Sequence, residues 1–244
     1  MKIVKAELLT IGDEILFGQI TDTNSQWLSA ELSAAGIQVI RKTSVGDRTE
    51  EILKAFSEAS QRADLVLITG GLGPTSDDLT KPCLAEFFGV KLVMNEEALV
   101  EVTEFFKSRG RELTELNRKQ AELPLNCKKI TNRSGTAPGM WFDVNEVVFV
   151  SMPGVPHEMK TMMTEQVLPM VRKRFPLPLI LHRMIRTAGI GESFLADKIA
   201  DWEKQLPSHI RLAYLPSLGM VKLRLTATGT DEKILNADTD TQIN

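Results

Sequence analysis

Two rhythms of apolar residues organise the chain. Residues 3–10 mix Ile, Val, Ala and Leu with single charged positions and read as a buried strand. Thr23 or Asn24 can then cap a helix whose apolar positions, Trp27, Leu28, Leu32 and Ala35, follow the 3.6-residue period, with Gly36 as its left-handed stop. Ile37 to Val45 alternate like a second strand. Asp47 and Glu50 have the spacing of a capping box ahead of a helix with Ile52, Leu53, Phe56 and Ala59 on its apolar face. Leu65-Val66-Leu67-Ile68 is the continuous run of a strand covered on both faces, and a further helix is predicted from about Asp78 to Gly89. This strand–helix alternation predicts an α/β fold: a doubly wound, mostly parallel sheet with right-handed crossovers.

Beyond Phe175-Pro176-Leu177-Pro178 the rhythm changes. Two prolines there forbid a continuous helix, so the boundary falls near Pro176, giving domains 1–175 and 176–244. In the second, Val221, Leu223, Leu225 and Ala227 alternate with Lys222, Arg224 and Thr226, a half-buried strand with a basic outer face. The tail from Asp231 starts like a helix and is expected to run out at Asp238-Thr239-Asp240-Thr241, where there is little to bury.

Charge refines this division. The 244 residues carry a net charge of −3, too weak to make duplex DNA or an anionic membrane the main partner. Residues 1–175 are net −3 and 176–230 net +3, which suggests a homodimer in which the basic lobe packs near an acidic one. Cys83 and Cys127 form no CxxC pair, and no apolar stretch has the length of a membrane span; a cytoplasmic protein acting on a small molecule is expected.

The unusual chemistry lies in loops that directly follow predicted strands. These are Gly12-Asp13-Glu14, Gly46-Asp47, Gly70 to Asp78, and Pro153-Gly154-Val155-Pro156 after Val147–Val150. In a parallel sheet such loops converge on one rim, where ligands of open α/β sheets bind. In the segment Gly70-Gly71-Leu72-Gly73-Pro74-Thr75-Ser76-Asp77-Asp78, glycine amides before a helix suit phosphate, and the hydroxyls of Thr75 and Ser76 add donors. Two aspartates beside a phosphate would repel it unless a divalent cation bridges them; alternatively one of them caps the helix. Arg118 and Lys119 could neutralise a substrate phosphate, and the small residues at 135–139 suggest close backbone approach. There is no P-loop, no complete dinucleotide fingerprint and no zinc spacing among His157, His182 and His209; Arg111–Glu115 imitates only part of a Nudix motif.

Thr10–Leu16, Gly18–Asn24, Gly70–Thr80, Gly135–Met140 and Pro153–Met159 together resemble the CinA family, in order through most of the first lobe. The resemblance implies a molybdopterin-binding-like first domain and a smaller α+β, KH-like second domain. It implies an ADP-ribose pyrophosphatase giving AMP and ribose 5-phosphate, dependent on a divalent ion (Mg2+, Mn2+ or Co2+), with K+ as a further candidate. Asp47 and Asp78 then stand as the catalytic and metal-holding pair. Gly12, Asp13, Glu14, Asn24, Gly70, Gly71, Gly73, Thr75, Lys119, Gly135, Pro153 and Gly154 stand as substrate-binding residues. The alternatives are a molybdopterin-binding or adenylyl-transferring protein of molybdenum-cofactor synthesis, or a non-catalytic nucleotide-binding module. The family's C-terminal nicotinamide mononucleotide deamidase domain has no counterpart in these residues, so no deamidation is expected. A KH loop needs Gly-x-x-Gly, but Glu192 follows Gly189 at that spacing, which argues against nucleic acid as a partner.

Overall fold

The computed structural model describes residues 3–243. Strand β1 (Lys5–Ile11) leads through the single-turn helix α1 (Asp13–Leu16) to α2 (Thr23–Ala34). Then follow β2 (Gln38–Val45), α3 (Thr49–Ser60), β3 (Leu65–Thr69) and α4 (Thr80–Phe87). An excursion comprises β4 (Leu92–Met94), α5 (Glu96–Lys107), α6 (Glu115–Arg118), a 3-10 turn (Lys119–Ala121) and β5 (Glu122–Pro124). The chain returns as β6 (Lys128–Ile130), β7 (Gly139–Val144), β8 (Val147–Met152), α7 (Pro156–Met162) and α8 (Leu168–Arg174). The last elements are β9 (Leu179–Ala188), α9 (Glu192–Lys204), β10 (Ile210–Ser217), β11 (Met220–Gly229) and α10 (Glu232–Ile243).

Two compact units result. The larger runs to Pro176; the smaller starts at Leu177 and also takes in Ala34–Gly36. The larger is built on a six-stranded sheet ordered β2-β1-β3-β8-β7-β6. Its first four strands are mutually parallel, while β7 runs antiparallel to both β8 and the edge strand β6. Every residue of β3 is buried, as its unbroken apolar sequence requires. One face of the sheet supplies Leu9, Ile11, Val66 and Ile68 to a cluster with Ile52 and Phe56 of α3 and Leu84 of α4. Leu8, Leu67 and Val150 on the opposite face are equally buried, as are Leu28 and Leu32 of α2 and Met159 and Met162 of α7. Helices on both faces leave only the strand ends open to a ligand.

The smaller unit is an antiparallel three-stranded sheet, β10-β11-β9, with α9 and α10. Val221, Leu223, Leu225 and Ala227 of β11 are buried and their neighbours Lys222, Arg224 and Thr226 are not, as the alternation predicts.

Four local expectations are corrected. Gly12-Asp13-Glu14 is not a plain loop, since α1 starts at Asp13. Asp22, rather than Thr23 or Asn24, caps α2: its Oδ1 accepts from the Ser25 amide at 2.9 Å. Asp47 and Glu50 form no capping box, because α3 begins at Thr49 without a side-chain cap. Finally, α10 does not run out at Asp238. Thr239 is fully buried there, Arg183 donates to Asn236 at 2.7 Å, and its guanidinium pairs with Asp240.

Candidate active site at the carboxyl ends of the parallel strands

The four loops that the sequence singles out follow β1, β2, β3 and β8, the four parallel strands, so they meet on one rim. They enclose a cleft of about 430 Å3. Gly12 and Glu14 come from the first loop, Asp47 from the second, Gly70, Gly71, Gly73, Asp77 and Asp78 from the third, and Pro153 and Gly154 from the fourth. Gly70 permits the crossing: at φ 99° it holds a conformation L side chains rarely adopt, and a Cβ there would lie 2.1 Å from the Ile11 carbonyl oxygen.

The first two loops are tied together by a reciprocal aspartate pair. The Asp13 amide donates to Asp47 Oδ2 at 2.9 Å, and the Asp47 amide donates to Asp13 Oδ1 at 3.3 Å. Gly46 leaves room for this, since a Cβ there would sit 2.6 Å from Asp13 Oδ1. One Asp47 oxygen is thus anchored and its side chain faces the cleft. Burial, and then the charges of Asp13, Glu14 and Asp77, push the Asp47 carboxyl above its ordinary pKa, against the lowering effect of the Asp13 amide.

The third loop differs from its expected form. The Gly73 amide donates to Asp78 Oδ1 at 2.8 Å, and the Thr75 amide and hydroxyl donate to Asp78 Oδ2 at 2.9 and 2.5 Å. The Gly70 amide donates to the Met152 carbonyl at 3.2 Å. The loop therefore already holds an anion, its own Asp78 carboxylate, where a phosphate was expected. Neither aspartate caps α4, which starts at Thr80 without a side-chain cap. Asp77 is fully exposed at its carboxylate, and the Thr75 hydroxyl lowers its pKa.

Several candidates fall outside the cleft. Lys119 is exposed on the 3-10 turn, while its neighbour Gln120, which is buried, lines the wall. Thr75 is exposed and acts through Asp78. Gly135 faces a smaller neighbouring cavity, with Thr136 and Ala137 lining the cleft in its place. Asp13 acts through its bond to Asp47. Asn24 lines an adjoining cavity, its Nδ2 donating to the Gly154 carbonyl at 2.7 Å.

Sequence reasoning missed Glu158. It stands in the first turn of α7, after Pro156, and is one of five carboxylates that line the cleft, with Glu14, Asp47, Asp77 and Asp78. Asn132 Nδ2 donates to it at 2.6 Å, and Asn132 Oδ1 accepts from the Ser134 and Gly135 amides, so the 134–139 segment is fixed against α7. The available signal was an acid two residues after a helix-starting proline at a strand end. No Lys or Arg lines the cleft among the described residues.

The donor set suits a hard divalent cation shared with a ligand's phosphates, which needs only one or two carboxylates. It is not a preformed cage: among the described residues no three His, Cys, Asp or Glu side chains converge as a metal site.

A mostly parallel sheet with its polar loops at this rim, followed by a small antiparallel α+β unit, defines a two-domain protein of the α/β class. The probable molybdopterin binding domain family matches residues 7–173, and the KH domain of damage-inducible protein CinA matches residues 182–242. The chain belongs to the CinA family. It is 53% identical over 240 residues to a CinA-like protein of Cytophaga hutchinsonii, covering 98% of this chain and 57% of that one. It is 46% identical over 241 residues to another from Flavobacterium psychrophilum, covering 98% and 58%. The crystal structure of a CinA protein of unknown function from Thermoplasma acidophilum superposes with a TM-score of 0.64 at 36% identity, over 71% of this chain and 99% of that one. The chain spans little more than half the length of the curated relatives it matches. No helix among the described residues is long and apolar enough to cross a membrane.

Proposed function

We propose that the cleft binds a nucleotide carrying a phosphoanhydride and hydrolyses it with the help of a divalent cation. ADP-ribose, cleaved to AMP and ribose 5-phosphate, is the substrate to which the family resemblance points. The observation that carries this reading is the wall of five carboxylates with no cationic side chain among the described residues. A bare polyphosphate would be repelled there, so a phosphorylated ligand fits only together with a cation.

Asp47 and Asp78 are the residues that would hold the ion, which when bound neutralises phosphate charge and polarises the anhydride. The rest falls to the chain itself. Asp13 and Gly46 position Asp47, whose anchored oxygen leaves the other facing the cleft. Asn132 orients Glu158 toward the same space, where Glu158 and Glu14 are the groups able to align a water and accept its proton. Gly70 and Gly154 let the backbone approach closely; a Cβ at Gly154 would stand 3.4 Å from the Gly70 Cα.

A second reading has the family match over residues 7–173 behind it: binding of molybdopterin, or adenylyl transfer to it, in the same cleft. Incubation with ADP-ribose plus Mg2+, Mn2+ or Co2+ should release AMP, and a chelator should stop it. Formation of an adenylylated pterin and pyrophosphate from ATP and molybdopterin, without AMP from ADP-ribose, would replace the first reading by the second. Binding of nucleotide with neither product would leave a non-catalytic module.

A further inference from the structure

The smaller unit is electrically two-faced. Its acids all stand on α9 and α10 or, as Asp231, at the start of α10. Both helices pack on one side of the sheet, where Val221, Leu223 and Leu225 of β11 meet Leu195, Trp202 and Leu235. The other side is uncovered within the unit, and the strand register lays it out in rows. Lys222 stands opposite Arg186 of β9 and Leu215 of β10, Arg224 opposite Met184 and Ala213, and Thr226 opposite His182 and Arg211. Four cations and no acid occupy these rows.

Charge by itself would not make this face a site; its arrangement does more. Arg186 and Lys222 are directly opposite, a like-charge cross-strand pair that destabilises the sheet. None of Arg186, Arg211, Lys222 and Arg224 meets an acid among the described residues. The unit does pair cations elsewhere: Arg183, on the helical side of β9, donates to Asn236 and pairs with Asp240. Set among the four unpaired cations are Met184 and Leu215, 48% and 37% exposed. Met184 in particular is a flexible thioether that adapts to the shape of what covers it. Unpaired cations around exposed apolar side chains complement a partner that carries acids around apolar residues.

The rows also set the partner's shape. Successive rows are about 6.8 Å apart, and the three strands span about 10 Å. An α-helix is about 10–12 Å wide and its residues four apart rise about 6 Å, so acids at that spacing fall on successive rows. No aromatic ring stands in these rows for a base to stack on, since Tyr214 packs on the helical side. The acids behind the sheet and the chain's net charge of −3 weaken its hold on an extended anionic surface. We propose that the open sheet face of the smaller unit docks an acidic amphipathic helix of another protein, whatever the cleft of the larger unit binds. The helix carboxylates meet Arg186, Arg211, Lys222 and Arg224, and its apolar residues meet Met184 and Leu215. At about 27 Å by 10 Å the contact stays below the ~1,200 Å2 of a stable complex, so docking is transient.

The probe is a synthetic helical peptide of about 18 residues, as long as the face, with Glu at i and i+4 and Leu between. Its counterpart carries Lys in place of Glu. Fluorescence anisotropy with the whole protein should show binding of the Glu peptide alone, weakening about tenfold between about 50 and 300 mM salt. Arg186→Glu and Arg211→Glu should each weaken it about fivefold or more. Arg186→Gln, which removes a cation without adding an acid, should weaken it about threefold and serves where a Glu variant unfolds in urea too early. Lys198→Glu and Lys204→Glu, on α9, should change it less than about twofold. Absence of binding, equal binding of the Lys peptide, or equal losses in the α9 variants would overturn the docking face. Tighter binding of an oligouridylate or of phosphatidylserine vesicles would give the face to nucleic acid or to a membrane instead. A dimer in light scattering that Arg186→Glu splits would give it to a second copy of the chain.

Discussion

Strands β3 and β11 show how differently the two units use polarity. In β3 every residue is buried and none is charged; the chemistry begins one residue past its end, at Gly70. In β11 buried and open positions alternate, so Lys222 and Arg224 lie along the strand, spread over the outer face of a sheet. The lesson is that charge density alone does not mark a site. The larger unit presents the five cleft acids at the ends of strands whose faces are covered by helices, whereas the smaller unit distributes its bases where solvent can reach them.

The comparison breaks most sharply in the rim acids. Asp47→Asn and Asp78→Asn should each lower metal-dependent release of AMP from ADP-ribose by about a hundredfold or more, whereas Lys222→Gln and Arg224→Gln should leave the rate unchanged. Comparable losses in both sets would erase the distinction. Next is the strand interior. Leu67→Ala on fully buried β3 should cost about 3 kcal/mol in urea unfolding, against less than about 0.5 for Arg224→Gln.

A third effect comes from Lys81, which is buried and donates to the Gln120 carbonyl at 2.9 Å. Burial lowers its pKa from 10.5 to about 8, Glu122 and Asp78 only partly offsetting this. The unfolded chain then binds more protons than the folded one between these two values. Stability should therefore rise with pH across that window, by up to about 3 kcal/mol, and Lys81→Met should flatten the rise in denaturation curves. The smallest effect is expected at Asp77. Its carboxylate is exposed, and Asp77→Asn should change turnover by less than about threefold, measured beside Asp78→Asn.

Which parts of this were legible in sequence follows from the range of the interactions. The unbroken run Leu65–Ile68, the helical period of Ile52 and Phe56 and the alternation of Val221–Ala227 are local patterns, and the elements formed as read. The convergence of the four loops followed from their places after parallel strands. What could not be read was competition from distant partners. Asp47 has the spacing of a cap to Glu50, but the Asp13 amide, 34 residues away, takes its carboxylate. Lys119 drew notice by its charge, while the neutral Gln120, whose backbone carbonyl accepts from distant Lys81, is the buried residue that lines the cleft. The last helix was expected to fray from its composition, yet buried Thr239 and the bonds of distant Arg183 to Asn236 and Asp240 carry it onward.

The Asp78 carboxylate seated on the Gly73 and Thr75 amides has a thermodynamic consequence. It is a tethered competitor, present at an effective concentration of at least about the millimolar range. Any phosphate seeking those amides has to evict it, so the measured affinity is the intrinsic one divided by the strength of this self-occupancy. A lone phosphate or sulfate, bringing no cation to receive the displaced carboxylate, gains little from the exchange. A ligand arriving with a divalent ion gives the evicted Asp78 a new partner. Under the proposed function, the loop would thus screen ligands by what accompanies them, and ambient anions would be turned away without any wall being built against them.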